Sequence, residues 1–253
     1  MSDAGVQPAA NVAPGLSQWQ RISNTFSAPS KTFTDIKNGH LSWWLPFLLY
    51  IALGYAFYFV VDAKVGMRQA AENQIHMSPK AEERMANLTP EQRETQMKLT
   101  TTITRIVFLC IPVFIVIMGL VISLVMWGTI NFGFGGKATF PKVWTVWVYG
   151  MLPSVFKTLL GIIVLFSGAA PESFNSRNYA PTNLGAFLSA TDTNAALYSL
   201  ASSIDVITIW TLVLVGMGTA IVAGVKRGSG YISAFGWWVL LVLLGAGWAA
   251  LMG

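Results

Sequence analysis

The chain has 253 residues, 54% of them hydrophobic and only 11% charged. Soluble globular proteins carry roughly 25% charged residues, so this composition excludes a water-facing shell. The net charge of +5 is too small and too scattered along the chain to point to nucleic acid.

Residues 1–15 (MSDAGVQPAANVAPG) are polar, lack a basic start and contain no apolar stretch. They read as a disordered tail rather than a cleavable signal peptide. Residues 16–253 read as one membrane domain. Leu16, Trp19, Ile22 and Phe26 recur three or four residues apart, which predicts an amphipathic helix. Pro29 interrupts it, and Phe33 and Ile36 resume the stripe. The accompanying Trp and basic residues favour a helix lying on the membrane interface over one packed on a bundle.

A spanning helix needs about 20 predominantly apolar residues. Five segments qualify, at about 42–61, 106–130, 143–166, 204–225 and 231–252. Each must be helical, because lipid offers no partner to an unpaired backbone group. Their continuous apolar runs exclude the alternating strands of a β-barrel. The expected fold class is an all-α integral membrane protein, a five-helix transmembrane bundle with an N-terminal interfacial amphipathic helix.

Between the first two spans, Ser78 before Pro79 marks one helix start. Thr89-Pro90-Glu91-Gln92 marks another: Thr89 caps, Pro90 suits the first position, and Gln92 closes a capping box. No Gly or Pro follows until Pro112, so this helix is expected to run unbroken into the second span. At ~1.5 Å per residue, its polar extension would stand ~20–25 Å clear of the membrane. The stretch 167–193 reads as a loop with a short helix near 184–189. Thr191 or Asp192 is then expected to cap a helix leading into the fourth span.

Loop charge sets the orientation. With the N-terminus inside, the inner side holds Arg21, Lys31, Lys37, Lys137, Lys142, Lys226 and Arg227 against Asp3 and Asp35. This favours a cytoplasmic N-terminus and an external C-terminus. One segment disagrees: residues 62–105 carry seven Lys or Arg on the outer side, together with six acids.

Several short patterns then line up in order. They are Phe26-Ser27-Ala28-Pro29 with Thr32, Phe33 and Ile36; Leu88-Thr89-Pro90-Glu91-Gln92; and Gly135-Gly136 with Thr139-Phe140. Tyr149-Gly150-Met151-Leu152-Pro153 follows, then Ser203-Ile204-Asp205 with Ile207, Ile209 and Trp210, and Gly216 and Gly218 after it. The ordered series, over about residues 16–252, resembles the Yip family of membrane proteins in its bacterial branch. The resemblance implies a five-helix membrane domain with a cytoplasmic N-terminus. It also brings the family's eukaryotic association with vesicle trafficking and Rab-type GTPases, although the eukaryotic Asp-Leu-Tyr-Gly-Pro motif is missing and the N-terminal tail is short.

Few residues in the spans need a special reason. Lys157 in the third span carries a cost of ~2.5–3.5 kcal/mol at a helix centre and should face a partner. Asp205, near the outer end of the fourth span, is the candidate. Such an interhelical pair predicts that a charge-swap double variant recovers expression lost in each single variant. The alternative is a snorkelling Lys157 and an Asp205 that only caps its helix. Pro153, with Gly150 before it, is expected to kink the third span, as a packing bend or as a hinge. Gly216, Ala220 and Gly224 share a face of the fourth span, and Gly245 and Ala249 one of the fifth. Small residues at this spacing suit close packing within the chain or a homo-oligomer.

The lone Cys110 reads as a core or lipid-facing residue, and the isolated His40 and His76 give no metal cluster. Gly133-Phe134-Gly135-Gly136 lacks the Lys-Ser/Thr ending of a phosphate loop. No cofactor, metal or catalytic set is expected. Besides the bilayer, partner proteins are expected through the N-terminal segment or the 62–105 loop. The leading reading is a non-enzymatic membrane scaffold or organiser in a bacterial cytoplasmic membrane. A small transporter or channel subunit, with Lys157, Asp205 and Thr208 around a polar site, is the first rival. A membrane-embedded enzyme is the second and weaker one.

Overall fold

The computed structural model describes residues 15–252, so the expected N-terminal tail lies almost wholly outside the described residues. Two short helices come first, α1 (Gln18–Ser27) and α2 (Pro29–Lys37). The first span follows as α3 (Trp44–Lys64). Two further short helices, α4 (Met67–His76) and α5 (Pro79–Ala86), lead to α6 (Pro90–Gly128). After α6 a π turn covers Thr129–Gly133. The third span is the pair α7 (Phe140–Gly150) and α8 (Ser154–Phe166). Then come α9 (Ala195–Ser203), α10 (Val206–Ala223) and α11 (Arg227–Met252). Five stretches are long and apolar enough to cross a membrane, in the order expected.

The boundaries follow local chemistry. Thr89 and Gln92 close their capping box at 3.3 and 3.0 Å, and α6 then runs 39 residues without a break. Ser78 occupies its cap position, but its side chain makes no capping bond. The loop's short helix is a single 3-10 turn at Leu184–Phe187. Neither Thr191 nor Asp192 caps the next helix. Asn194 does so, accepting from Ala196 N and Leu197 N at 3.0 and 3.2 Å. That helix, α9, stops at Ser203, and the fourth span starts afresh behind Asp205.

The core centres on α10, half of whose apolar window is buried, against 11% for α11. Val143, Val146, Val148 and Tyr149 of α7 meet Leu214, Val215 and Val222 of α10. Phe33 and Ile36 of α2 are fully buried in the same cluster. The outer faces of α6 and α11 remain apolar and exposed, at Ile117, Val121, Leu241 and Leu244 among others. That pattern suits a solvent as apolar as the helix surface.

The N-terminal helices are held by polar contacts as well. Arg21 Nε donates to Asp35 Oδ2 at 2.6 Å, and both residues are buried. Arg21 also donates to the carbonyls of Ser42 (2.9 Å) and Leu16 (3.0 Å), while Leu16 N donates to Asp35 Oδ1 (3.1 Å). His40 Nδ1 lies 3.0 Å from Asp35 Oδ1, at an angle that makes no hydrogen bond. The same assembly reaches α7, because Tyr149 OH donates to Ser42 O at 3.0 Å. Tyr50 OH donates to Val148 O at 2.7 Å. In α1, Ile22 and Phe26 of the apolar stripe pack on the core, while Trp19 stays 69% exposed.

Residues 62–105 form a second layer at the opposite end. Arg68 bridges Glu94 of α6 (2.9 Å) and Glu72 of α4 (3.1 Å). These two carboxylates, Glu94 foremost, hold the Arg68 guanidinium above its ordinary range. Lys80 Nζ donates to Leu251 O at 3.1 Å, so the C-terminal end of α11 lies on this side.

Breaking the N-terminal pair should be costly. Arg21→Met leaves the buried Asp35 carboxylate without a cation, a loss of about 3–5 kcal/mol. The melting temperature of the detergent-solubilised protein should fall, and adding Asp35→Asn should recover part of the loss.

Candidate functional site

Asp205 precedes the first turn of α10 and is 1% exposed. Its Oδ1 accepts from Ile207 N (2.8 Å) and Thr208 N (3.0 Å), the N-cap bonds of α10. Its Oδ2 accepts from Lys157 Nζ at 2.8 Å and from Thr182 Oγ1 at 2.7 Å. A carboxylate offers about four lone-pair sites, so these four donors saturate it. Cap and ion pair, the two alternatives the sequence posed, are combined in one carboxylate.

The loop segment supplying Thr182 is fixed by backbone bonds on either side of the contact. Leu184 N donates to Ile204 O (3.2 Å), and Val206 N donates to Thr182 O (3.0 Å). Lys157 sits in the first turn of α8, and its Nζ lies 5.7 Å from the centroid of the Tyr179 ring. That distance falls within the range of a cation–π contact. Tyr179 in turn rests against Gly161, one turn beyond Lys157, where a Cβ would come within 2.5 Å of Tyr179 Cδ2.

Tyr179 has a second neighbour. It borders a cleft of about 640 Å³ on the loop side, lined also by Asn73, His76, Asn175, Asn178 and Tyr198. Asn73 Nδ2 pins the loop to α4 through Pro171 O (2.8 Å) and Phe174 O (2.9 Å). Asn175 Nδ2 donates to Tyr198 OH at 3.0 Å.

Pro153 does more than kink the third span: the helix stops at Gly150 and restarts at Ser154. Leu152 N and Ser154 N turn to carbonyls three residues back, Tyr149 O (3.2 Å) and Met151 O (2.9 Å). Gly150 has a packing reason, since a Cβ there would meet Val215 Cγ2 of α10 at 2.6 Å. A residue in such close contact is a poor hinge.

The small-residue face of the fourth span divides. A Cβ on Gly216 would meet Tyr231 Cδ1 at 2.8 Å, and one on Gly230 would strike Gly216 O and the Cβ of Ala220. Gly216, Ala220 and Gly230 thus let α10 and α11 approach closely. Gly224 does not share that contact; it takes φ +72° and ends α10 in the left-handed conformation. Gly245 of α11 faces open space and makes no close approach. Thr182 and Tyr179 carried no warning in the sequence, because nothing local ties a loop Thr or Tyr to a helix beyond it. The Arg21–Asp35 pair was not open to the reasoning that found Lys157–Asp205, because both residues lie outside the spans and counted only as inner-side charges.

A family model described as the Yip1 domain matches residues 23–249, which include the first four spans, nearly all of the fifth and the Lys157–Asp205–Thr182 cluster. No curated protein and no solved structure matches the chain.

The geometry alters the charge-swap expectation. A Lys at 205 cannot accept from Ile207 N, Thr208 N or Thr182, so Lys157→Asp/Asp205→Lys should stay as poorly folded as either single variant. Lys157→Met should cost about 3–5 kcal/mol by stranding a buried charge. Adding Asp205→Asn, which keeps a capping oxygen, should restore much of the folded yield on size-exclusion chromatography. Gly150→Val should lower the melting temperature by the equivalent of roughly 1–3 kcal/mol through overpacking on Val215.

Proposed function

The chain belongs to the Yip1 domain family, and from that membership we propose that it is a non-enzymatic membrane scaffold or organiser with a role in membrane trafficking or homeostasis. It resides in a bacterial cytoplasmic membrane with the N-terminus inside. It works through its bundle and its N-terminal helices, with the 62–105 layer as a second protein-facing surface.

One observation carries this reading. The charged pair within the spans is spent on structure: all four acceptor positions of Asp205 are filled, by Lys157, Thr182 and two cap N–H groups. A transport path needs groups that exchange partners with a cargo ion or proton. Lys157 and Asp205 join α8, α10 and the intervening loop instead. The transporter reading draws on the nearby cleft, which is lined by Tyr179 and Pro181 beside the pair but by neither Lys157 nor Asp205.

A flux measurement separates the two readings. Proteoliposomes holding the full chain should retain imposed K⁺ and pH gradients as long as protein-free vesicles do. Protein-dependent dissipation of either gradient would replace the organiser reading with the transporter one.

A further inference from the structure

The net charge looked scattered along the sequence, but it is not scattered in space. Arg21, Lys31, Lys37, Lys137, Lys142, Lys226 and Arg227 lie at the end of the bundle that carries α1 and α2. Contacts around that end join them. Lys142 Nζ donates to Lys37 O at 2.6 Å. Lys137 N donates to Ala223 O at 3.0 Å, next to the turn that carries Lys226 and Arg227. Arg227 Nη2 reaches Ser30 Oγ at 3.5 Å, beside Lys31.

Among the described residues, Asp35 is the one acid at this end, and Arg21 neutralises it inside the fold. The other nine Lys and Arg belong to the opposite half with nine acids. There, charges compensate through pairs such as Arg68–Glu94, Arg68–Glu72 and Lys157–Asp205. The described chain therefore has one end of net +6 and one of net zero. Lys31, Lys37, Lys137, Lys226 and Arg227 are exposed, and Lys142 is half-buried.

Exposed aromatics accompany the cations. Trp19 is 69% exposed, Trp44 52% and Phe132 83%. Rings of this kind settle where hydrocarbon meets headgroup. They put the neighbouring cations at the depth of lipid phosphates.

We infer that this end of the bundle is a docking surface for anionic lipid headgroups, formed by Lys31, Lys37, Lys137, Lys142, Lys226 and Arg227. The charge complementarity is one-sided: six cations at an end with no exposed acid among its described residues would repel a basic partner and recruit phosphate-bearing lipid around the bundle. Each such cation contributes about a fivefold factor at an anionic surface, and the effect is screened by salt. The inference goes beyond the organiser reading and does not rest on it, since a transporter with this charge distribution would bind the same lipids.

The full chain in neutral detergent is titrated with phosphatidylglycerol or phosphatidylcholine, and retained lipid is counted by native mass spectrometry. Phosphatidylglycerol should be retained preferentially and lost as salt rises. Lys31→Gln/Lys37→Gln/Lys226→Gln/Arg227→Gln should weaken its retention at least about tenfold. A control removing four cations from the other end, Lys80→Gln/Arg84→Gln/Lys98→Gln/Arg177→Gln, should leave it within roughly twofold. Excess inorganic phosphate at constant ionic strength should not displace the lipid. Equal retention of both lipids by the unaltered protein, insensitivity to salt, equal losses in the two variants, or displacement by phosphate would each overturn the inference. The salt and phosphate arms use the unaltered chain and so hold even if a variant fails to fold.

Discussion

Lipid gives a polar group no hydrogen-bond partner, so the backbone of a spanning segment, and any charge it carries, must be satisfied within the protein. Most of this structure follows from that constraint. It makes each of the five apolar stretches helical. It sends Tyr50 OH to Val148 O and joins Asp205 to four donors from two helices and a loop. The Lys157–Asp205 contact is more than an ion pair added to a finished bundle. It fixes the start of α10, the most buried span, against the first turn of α8 and against the 178–183 segment.

The same constraint explains what could be read from sequence. Length and apolarity are local properties, so the spans were legible, as was the Thr89–Gln92 box that opens α6. Lys157 and Asp205 stood out because a charge in lipid demands a reason. What escaped was set by neighbours distant in sequence. The close contact of Gly150 with Val215, the hold of Thr182 on Asp205 and the seat of Tyr179 on Gly161 depend on which segments meet. The spacing of Gly216, Ala220 and Gly224 suggested one packing face. It cannot reveal that Gly224 is needed for its left-handed backbone instead. Arg21 and Asp35 illustrate the converse: each is unremarkable at an inner loop, and only folding brings them to 2.6 Å in a buried site.

The basic residues of 62–105 ran against the orientation drawn from the rest of the chain. In three dimensions that segment is a paired layer, with Arg68 shared between Glu72 and Glu94 and with Glu94 also 3.9 Å from Lys98. Its charges largely compensate one another, while those at the α1–α2 end do not. A second asymmetry, one of uncompensated charge, therefore lies beside the loop counts, and it is the one that an anionic lipid surface meets. It sets the two ends of the bundle apart more sharply than the loop counts did.

Membership in the Yip1 family, five spans and one uncompensated basic end together describe a protein whose two ends face different compartments. The most direct measurement is site-specific labelling in intact cells. In a Cys110→Ser background, Ser23→Cys reports on α1, and Arg84→Cys and Ser189→Cys report on the opposite end. A membrane-impermeant maleimide should label positions 84 and 189 from outside, and position 23 only after permeabilisation. Labelling of 23 and 189 from the same side would contradict the five-span account. Labelling of 23 but not 189 in intact cells would contradict a cytoplasmic basic end.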